Sequence, residues 1–256
     1  MRTIIPIYYT DFSCIADRCR HNCCIGWEID IDPDTYAWYQ TVEGAFGDRL
    51  RDNIHHGVTP CFHTDHTERC AFLNERGLCD IILTLGEDAL CDICTDHPRF
   101  RTYVGDTLHL GLGLCCEEAC RLVLSTPVAF MDADTGAAVT VDTSRPVLTD
   151  TRAPAEWAAI YRRLERLDPA WDAWLDVLAD APVMVTPTTV LAQRVGAYFR
   201  FRYPDTPILA THAAALLETL CAGRSWQEQL EICRLYSAEI EYSDENITAI
   251  KQAAED

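Results

Sequence analysis

Twelve of the fourteen cysteines in this 256-residue chain lie between Cys14 and Cys120, and only Cys221 and Cys233 lie beyond them. The densest stretch, CIADRCRHNCCIGWEID, sets Cys14, Cys19, His21, Cys23 and Cys24 within eleven residues. Thiols at this density leave three solutions for the segment: a disulfide framework, a zinc site or an iron-sulfur cradle.

With 48% hydrophobic residues, a chain of this length buries a sizeable core without covalent staples. Its first residues, MRTIIPIYYTDFSC, carry one Arg and a short apolar run broken by Pro6, so no secretory leader and a cytoplasmic location are expected. No run reaches the roughly 18 to 20 apolar residues of a membrane span, so no membrane partner is expected. In a reducing compartment, clustered thiols serve as metal ligands or redox groups rather than as disulfides.

The formal charge is −19, with twenty acids against ten bases up to Ser125 and twenty against eleven after it. Phosphate binding needs a basic footprint, which argues against nucleic acid as a partner. So much acid serves solubility, or attracts a basic protein.

Patterning predicts a mainly α protein with small β-hairpins: a cysteine-rich, metal- or cluster-binding half at 1–125, a linker at 126–153 and a helical bundle at 154–256. In EIDIDPDTYAWYQ, Asp32 is placed to cap a helix with Pro33 in its first turn, running toward the Gly57 and Pro60 region. RCAFLNERGLCDI reads as a hairpin with Cys70 and Cys79 on opposite arms. LGEDALCDICTDHPRF reads as a short helix ended by Pro98, with Cys91 and Cys94 on one face. RTYVGDTLHLGLGL reads as a second hairpin, and CCEEACRLVLS as a helix with Cys116 and Cys120 on one face. Between Thr126 and Pro154 no periodicity is clear. Beyond it, PAEWAAIYRRLERL, AWDAWLDVLAD, TTVLAQRVGAYFRFRY, PILATHAAALLETLCAG and SWQEQLEICRLYSAEIEYS all show helical spacing. Their aromatic residues and Cys221 and Cys233 are expected in the core.

Spacing alone does not choose the metal. Cys14-x4-Cys19-x3-Cys23-Cys24 is neither a zinc ribbon nor a ferredoxin run, and soft thiolates suit zinc or an iron-sulfur cluster equally. The histidines His21, His55, His56, His63, His66 and His97 are not chosen as ligands. Cys19-x3-Cys23 is followed by Gly26 where a radical Cys-x3-Cys-x2-Cys signature needs cysteine. No Gly-x-Gly-x-x-Gly loop marks a Rossmann donor site either. Alternation in EIDID puts Glu28, Asp30 and Asp32 on one strand face.

SCIADRCRHNCCIGWEIDID followed by CAFLNERGLCDIILTLGEDALCDICTDHPRF, then LCCEEACRLVLS, YFRFRY and YSAEIEYSDENI, resembles the flagellin lysine N-methylase family. More loosely, it resembles the cysteine-cluster proteins described as zinc- or iron-chelating. In LCCEEACRLVLS, Glu117 stands where the family has proline. The resemblance implies an iron-sulfur cluster of the 4Fe-4S kind, S-adenosylmethionine as methyl donor and lysines of flagellin or a similar protein as substrate. It carries the ligand positions onto Cys14, Cys19, Cys23, Cys24, Cys70, Cys79, Cys94 and Cys116, and leaves Cys61, Cys91, Cys115 and Cys120 as extras. Lysine methylation requires a neutral amine, for which Glu28, Asp30, Glu239 and Glu241 are the candidate proton acceptors. A non-catalytic zinc- or iron-holding binding module is the alternative, and a redox protein a third.

Overall fold

A computed structural model describes residues 1–145 and 152–255. The chain divides into two compact units, Cys14–His97 as one, and Met1–Ser13 with Pro98–Asp256 as the other. The compositional shift at residue 126 falls inside the larger unit, whose residues 126–145 carry two strands. The 146–151 portion of the expected linker lies outside the described residues.

The larger unit pairs a small sheet with helices. Strands β1 (Arg2–Pro6), β4 (Arg99–Val104), β5 (Thr107–Leu112), β6 (Phe130–Asp132) and β7 (Ala138–Val139) form one sheet in the order β4-β5-β1-β6-β7. The expected hairpin is there: Val104 faces Thr107, and Gly105 takes a φ of +56° at the turn. The sequence reading did not foresee that β1 lies parallel to β5 and antiparallel to β6. Such a pairing spans about a hundred residues and leaves no local signature.

Among the described residues, seven α-helices complete this unit: α5 (Glu117–Ser125), α6 (Pro154–Tyr161), α7 (Trp171–Ala179), α8 (Val190–Arg202), α9 (Pro207–Cys221), α10 (Trp226–Ile240) and α11 (Asp244–Glu255). All six predicted from periodicity are present, and α11 is additional. Ser225 caps α10 by accepting from Glu228 N while Glu228 reaches back to Ser225 N. Trp157, Tyr161, Trp171, Leu175, Phe199, Leu216 and Tyr236 are fully buried in the core between these helices.

The smaller unit is short helices and turns around its own core of Ile29, Ile31, Tyr39, Leu50, Phe62, Phe72 and Ile81. Its helices are α1 (Pro33–Tyr39), α2 (Gly44–Asp52), α3 (Asp80–Leu85) and α4 (Asp92–Asp96), with a two-strand pair β2 (Ile54–His55) and β3 (Cys61–Phe62). The single helix expected after Asp32 is two, with Gly44 at φ +78° opening the second and Gly47 packed against the connection between them. A Cβ there would stand 1.9 Å from the Val42 carbonyl oxygen. The single helix expected from Leu85 to Pro98 is instead a 3-10 turn at Glu87–Ala89 and the short α4, and α3 before it, set off by Gly86 at φ +96°, was not expected. No described helix is long and apolar enough to cross a membrane.

Candidate thiol centre

Three chain segments deliver thiols to one place in the smaller unit. The first is the Asn22–Trp27 turn. The Asn22 side chain accepts from Cys24 N at 2.9 Å, and Trp27 Nε1 donates to the Cys23 carbonyl at 2.6 Å. The second is the segment 69–79. Cys70 N donates to the Cys24 carbonyl at 2.9 Å, Ile25 bridges Arg69, and Leu73 bridges Cys79 across a turn in which Gly77 has φ +74°. The hairpin read from RCAFLNERGLCDI is thus a tight turn with one bridge, enough to bring Cys70 and Cys79 together.

The third segment is α4, with Cys91 at its N-cap and Cys94 one turn on. Asp32 ties it down: one carboxylate oxygen accepts from Thr35 N at 2.8 Å and caps α1, while the other accepts from Asp92 N at 2.9 Å. Burial opposes the charge on Asp32, but these N–H groups hold its carboxyl below the usual range. Tyr39, fully buried, donates to the Ala89 carbonyl at 2.7 Å and closes the same corner.

The six sulfurs act on one another. Cys24 donates to Cys23, which lowers the Cys23 thiol and raises Cys24; burial and the charges of Cys23, Cys70 and Cys79 raise Cys24 further. Cys94 donates to Cys91 in the same way, lowering Cys91, and is itself raised by that bond, by burial and by Cys91, Cys24 and Cys70. Burial pushes Cys70 up to about 11 and raises Cys79 as well. His97, at the end of this unit, is pushed down to about 4 by burial and is neutral at pH 7. Two hydrogen-bonded cysteine pairs with two further thiols close by make a soft array. It cannot ionise completely unless positive charge is placed among the sulfurs.

Of the positions implied by resemblance, Cys23, Cys24, Cys70, Cys79 and Cys94 belong to this array. Cys91, set aside as an extra, belongs to it too, and its CxxC partnership with Cys94 was the signal that could have placed it. Cys14 is exposed and accepts a long hydrogen bond from Ala16 N, and the Cys19 thiol donates to the His21 carbonyl. Cys116 is the N-cap of α5 in the larger unit. Among the described residues, no three His, Cys, Asp or Glu side chains form a group of the kind that closes on one metal ion.

The acid candidates separate by burial. Glu239 is fully buried and accepts from Leu167 N and Asp168 N at 3.0 and 2.8 Å while pairing with Arg166. Glu241 is buried, accepts from Tyr198 Oη at 2.7 Å and pairs with Arg202 at 2.5 Å; burial raises its carboxyl. Glu28 accepts from the Cys61 thiol at 2.9 Å, and Asp30 is exposed. Alternation in 28–32 holds, with Ile29 and Ile31 buried and the acids on the opposite face. Cys221 and Cys233 are buried in the helical core as expected; their thiols are hydrogen-bonded, and Cys120 lies near enough to act on Cys233.

Fold and site define a largely helical protein with a separate thiol-rich unit. The chain is 30% identical over 134 residues to a lysine-N-methylase of Salmonella typhimurium and 29% identical over the same length to that of Salmonella choleraesuis; each match covers 49% of this chain and 33% of the relative. It is also 29% identical over 134 residues to the flagellar biosynthetic protein FliU of Salmonella muenchen, covering 78% of that protein. Over about half its length, therefore, this chain is similar to lysine-N-methylases and to FliU, and its matched part spans about a third of the two lysine-N-methylases. No family model and no solved structure matches it.

Proposed function

We propose that the chain is a protein lysine N-methyltransferase acting on flagellin or a similar lysine-bearing protein, with an iron-sulfur cluster held by the smaller unit and S-adenosylmethionine as methyl donor. The observation that carries this reading is the convergence of Cys23, Cys24, Cys70, Cys79, Cys91 and Cys94 from three segments, in a chain whose relatives bear the name lysine-N-methylase.

The residues fit such a group by donor chemistry. Four thiolates are required and six thiols are offered, partly buried against Phe72, Leu73 and Ile81, so the surroundings limit hydrolysis. When bound, a cluster supplies an iron that holds the donor's amino-acid end or passes an electron. The protein's own part is to orient the thiols through the Asp32 cap and the Asn22 turn, and to screen the site with apolar side chains.

The substrate must arrive as an ammonium ion and lose a proton before its nitrogen can accept a methyl group. The net charge of −19 favours approach of a cationic lysine, and exposed Asp30 supplies local negative charge on the same unit as the thiols. Glu239 and Glu241 are committed to buried ion pairs, so they serve the fold of the larger unit.

Incubating cluster-loaded protein anaerobically with flagellin and S-adenosylmethionine, followed by peptide mass spectrometry, tests the activity. Methyl groups on flagellin lysines are expected. Their absence from a sample with full cluster content would favour the non-catalytic metal-binding module.

A further inference from the structure

Outside the thiol array, the smaller unit brings together a second group of side chains of metal-ligating type, of which the proposed function uses only the charge of Asp30. Asp30 bridges Cys61, and Cys61 in turn pairs with His55 across β2 and β3. Residues directly opposite in an antiparallel ladder point to the same side, with Cβ atoms about 4.5 to 5.5 Å apart. Asp30, Cys61 and His55 therefore form one row across three extended segments. Glu28, two residues before Asp30, and His63, two residues after Cys61, lie on the same face by the period of two. The opposite face carries Ile29, Ile31, Ile54 and Phe62, all buried in the core, which fixes the assignment independently.

Contacts on the outer face agree with the register. The Cys61 thiol donates to Glu28 at 2.9 Å and is buried beneath its polar neighbours, while the His55 and His63 ring centroids are 4.0 Å apart. Burial first, then Glu28 and Asp30, push the thiol up to about 11. This is the wrong direction for a nucleophile, because the thiolate is the reactive form. Burial, with His55 and His56 close by, lowers His63. One sulfur, two imidazole nitrogens and a carboxylate are a mixed donor set of the borderline-soft kind that zinc takes in tetrahedral sites.

The geometry points to a site for a divalent transition metal of the zinc class on this face, with Cys61, His55, His63 and Glu28 as ligands and Asp30 adding negative charge. The site is separate from the six-thiol array and stands without the methylase reading. The side chains have not closed on a single point. The backbone ladder fixes their Cβ atoms, so closing the site requires rotation about χ1 and χ2 of the exposed His55 and the half-buried His63. On binding, the sulfur-metal bond replaces the Cys61 S–H, and the proton leaves to buffer.

The test uses the full chain without an affinity tag, titrated with Zn2+ and dialysed, with metal content measured and zinc X-ray absorption recorded. Wild type is expected to retain about one zinc more than the H55A/H63A variant, with imidazole scattering in the zinc shell. A C24S variant, disturbed in the other array, should keep that increment. Both histidines lie at the surface side of the ladder, and thermal melting of H55A/H63A checks that its fold is kept. Equal zinc in wild type and H55A/H63A, including none in either, or a zinc shell made of sulfur alone, would overturn the assignment.

Discussion

Asp32 is the residue on which the smaller unit turns, because one carboxylate satisfies orphan N–H groups at the starts of both α1 and α4. Asp32→Ala is expected to destabilise the protein by about 1–2 kcal/mol in denaturant unfolding, and unchanged stability would show that the double cap is idle. The sign with pH follows from its lowered carboxyl. The contribution is present above the unfolded value near 4 and is lost as pH falls through the lower folded value, so the gap to Asp32→Asn should shrink in acid. Gly47→Ala places a methyl against the Val42 carbonyl and is expected to cost about 1–3 kcal/mol, read as a lowered melting temperature. Glu239 offers a sharper choice. Glu239→Ala leaves two buried-side backbone N–H groups without their acceptor and Arg166 with Asp172 as its remaining carboxylate, an expected loss of about 3 kcal/mol. A well-folded but inactive variant would instead make Glu239 a proton acceptor in catalysis.

Elements defined by local chemistry were legible. Asp32 before Pro33 and the Gly105-Asp106 turn each name their own structure, and each formed where the sequence placed it. Helix α11 was missed, although Ser243 accepts from Asn246 N at its start and Ile250 and Ala254 repeat one turn apart on a buried side. Its many polar residues hid that stripe. Membership of the thiol array was legible only in part. Which of twelve cysteines converge depends on the Ile25–Arg69 and Leu73–Cys79 bridges, and pairings between distant residues are not encoded in spacing. The mixed face around Cys61 was half visible, since alternation grouped the acids but could not supply the register that adds Cys61, His55 and His63.

At the scale of the whole molecule, the two units differ in what holds them. The larger has an extensive core, including Trp157, Trp171 and Tyr236, whereas the smaller packs short helices and turns around a limited core that takes in five of the six electrostatically coupled thiols. Metal binding energy becomes folding energy where a small core depends on its ligands. Chelation under reducing conditions is therefore expected to loosen the smaller unit selectively. Circular dichroism should retain most of the helical signal, because α5 to α11 belong to the larger unit, while hydrogen exchange rises across residues 14–97. Uniform exchange across both units would contradict this division of labour.

The central claim is that six thiols from three segments hold one iron-sulfur cluster. Anaerobic reconstitution with iron and sulfide, followed by metal and acid-labile sulfide analysis of wild type and a Cys24→Ser, Cys70→Ser, Cys94→Ser triple variant, tests it most directly. The account predicts about four irons and about four sulfides per wild-type chain, and their loss in the variant. Zinc without sulfide in the wild type, or a cluster undiminished in the variant, would contradict it.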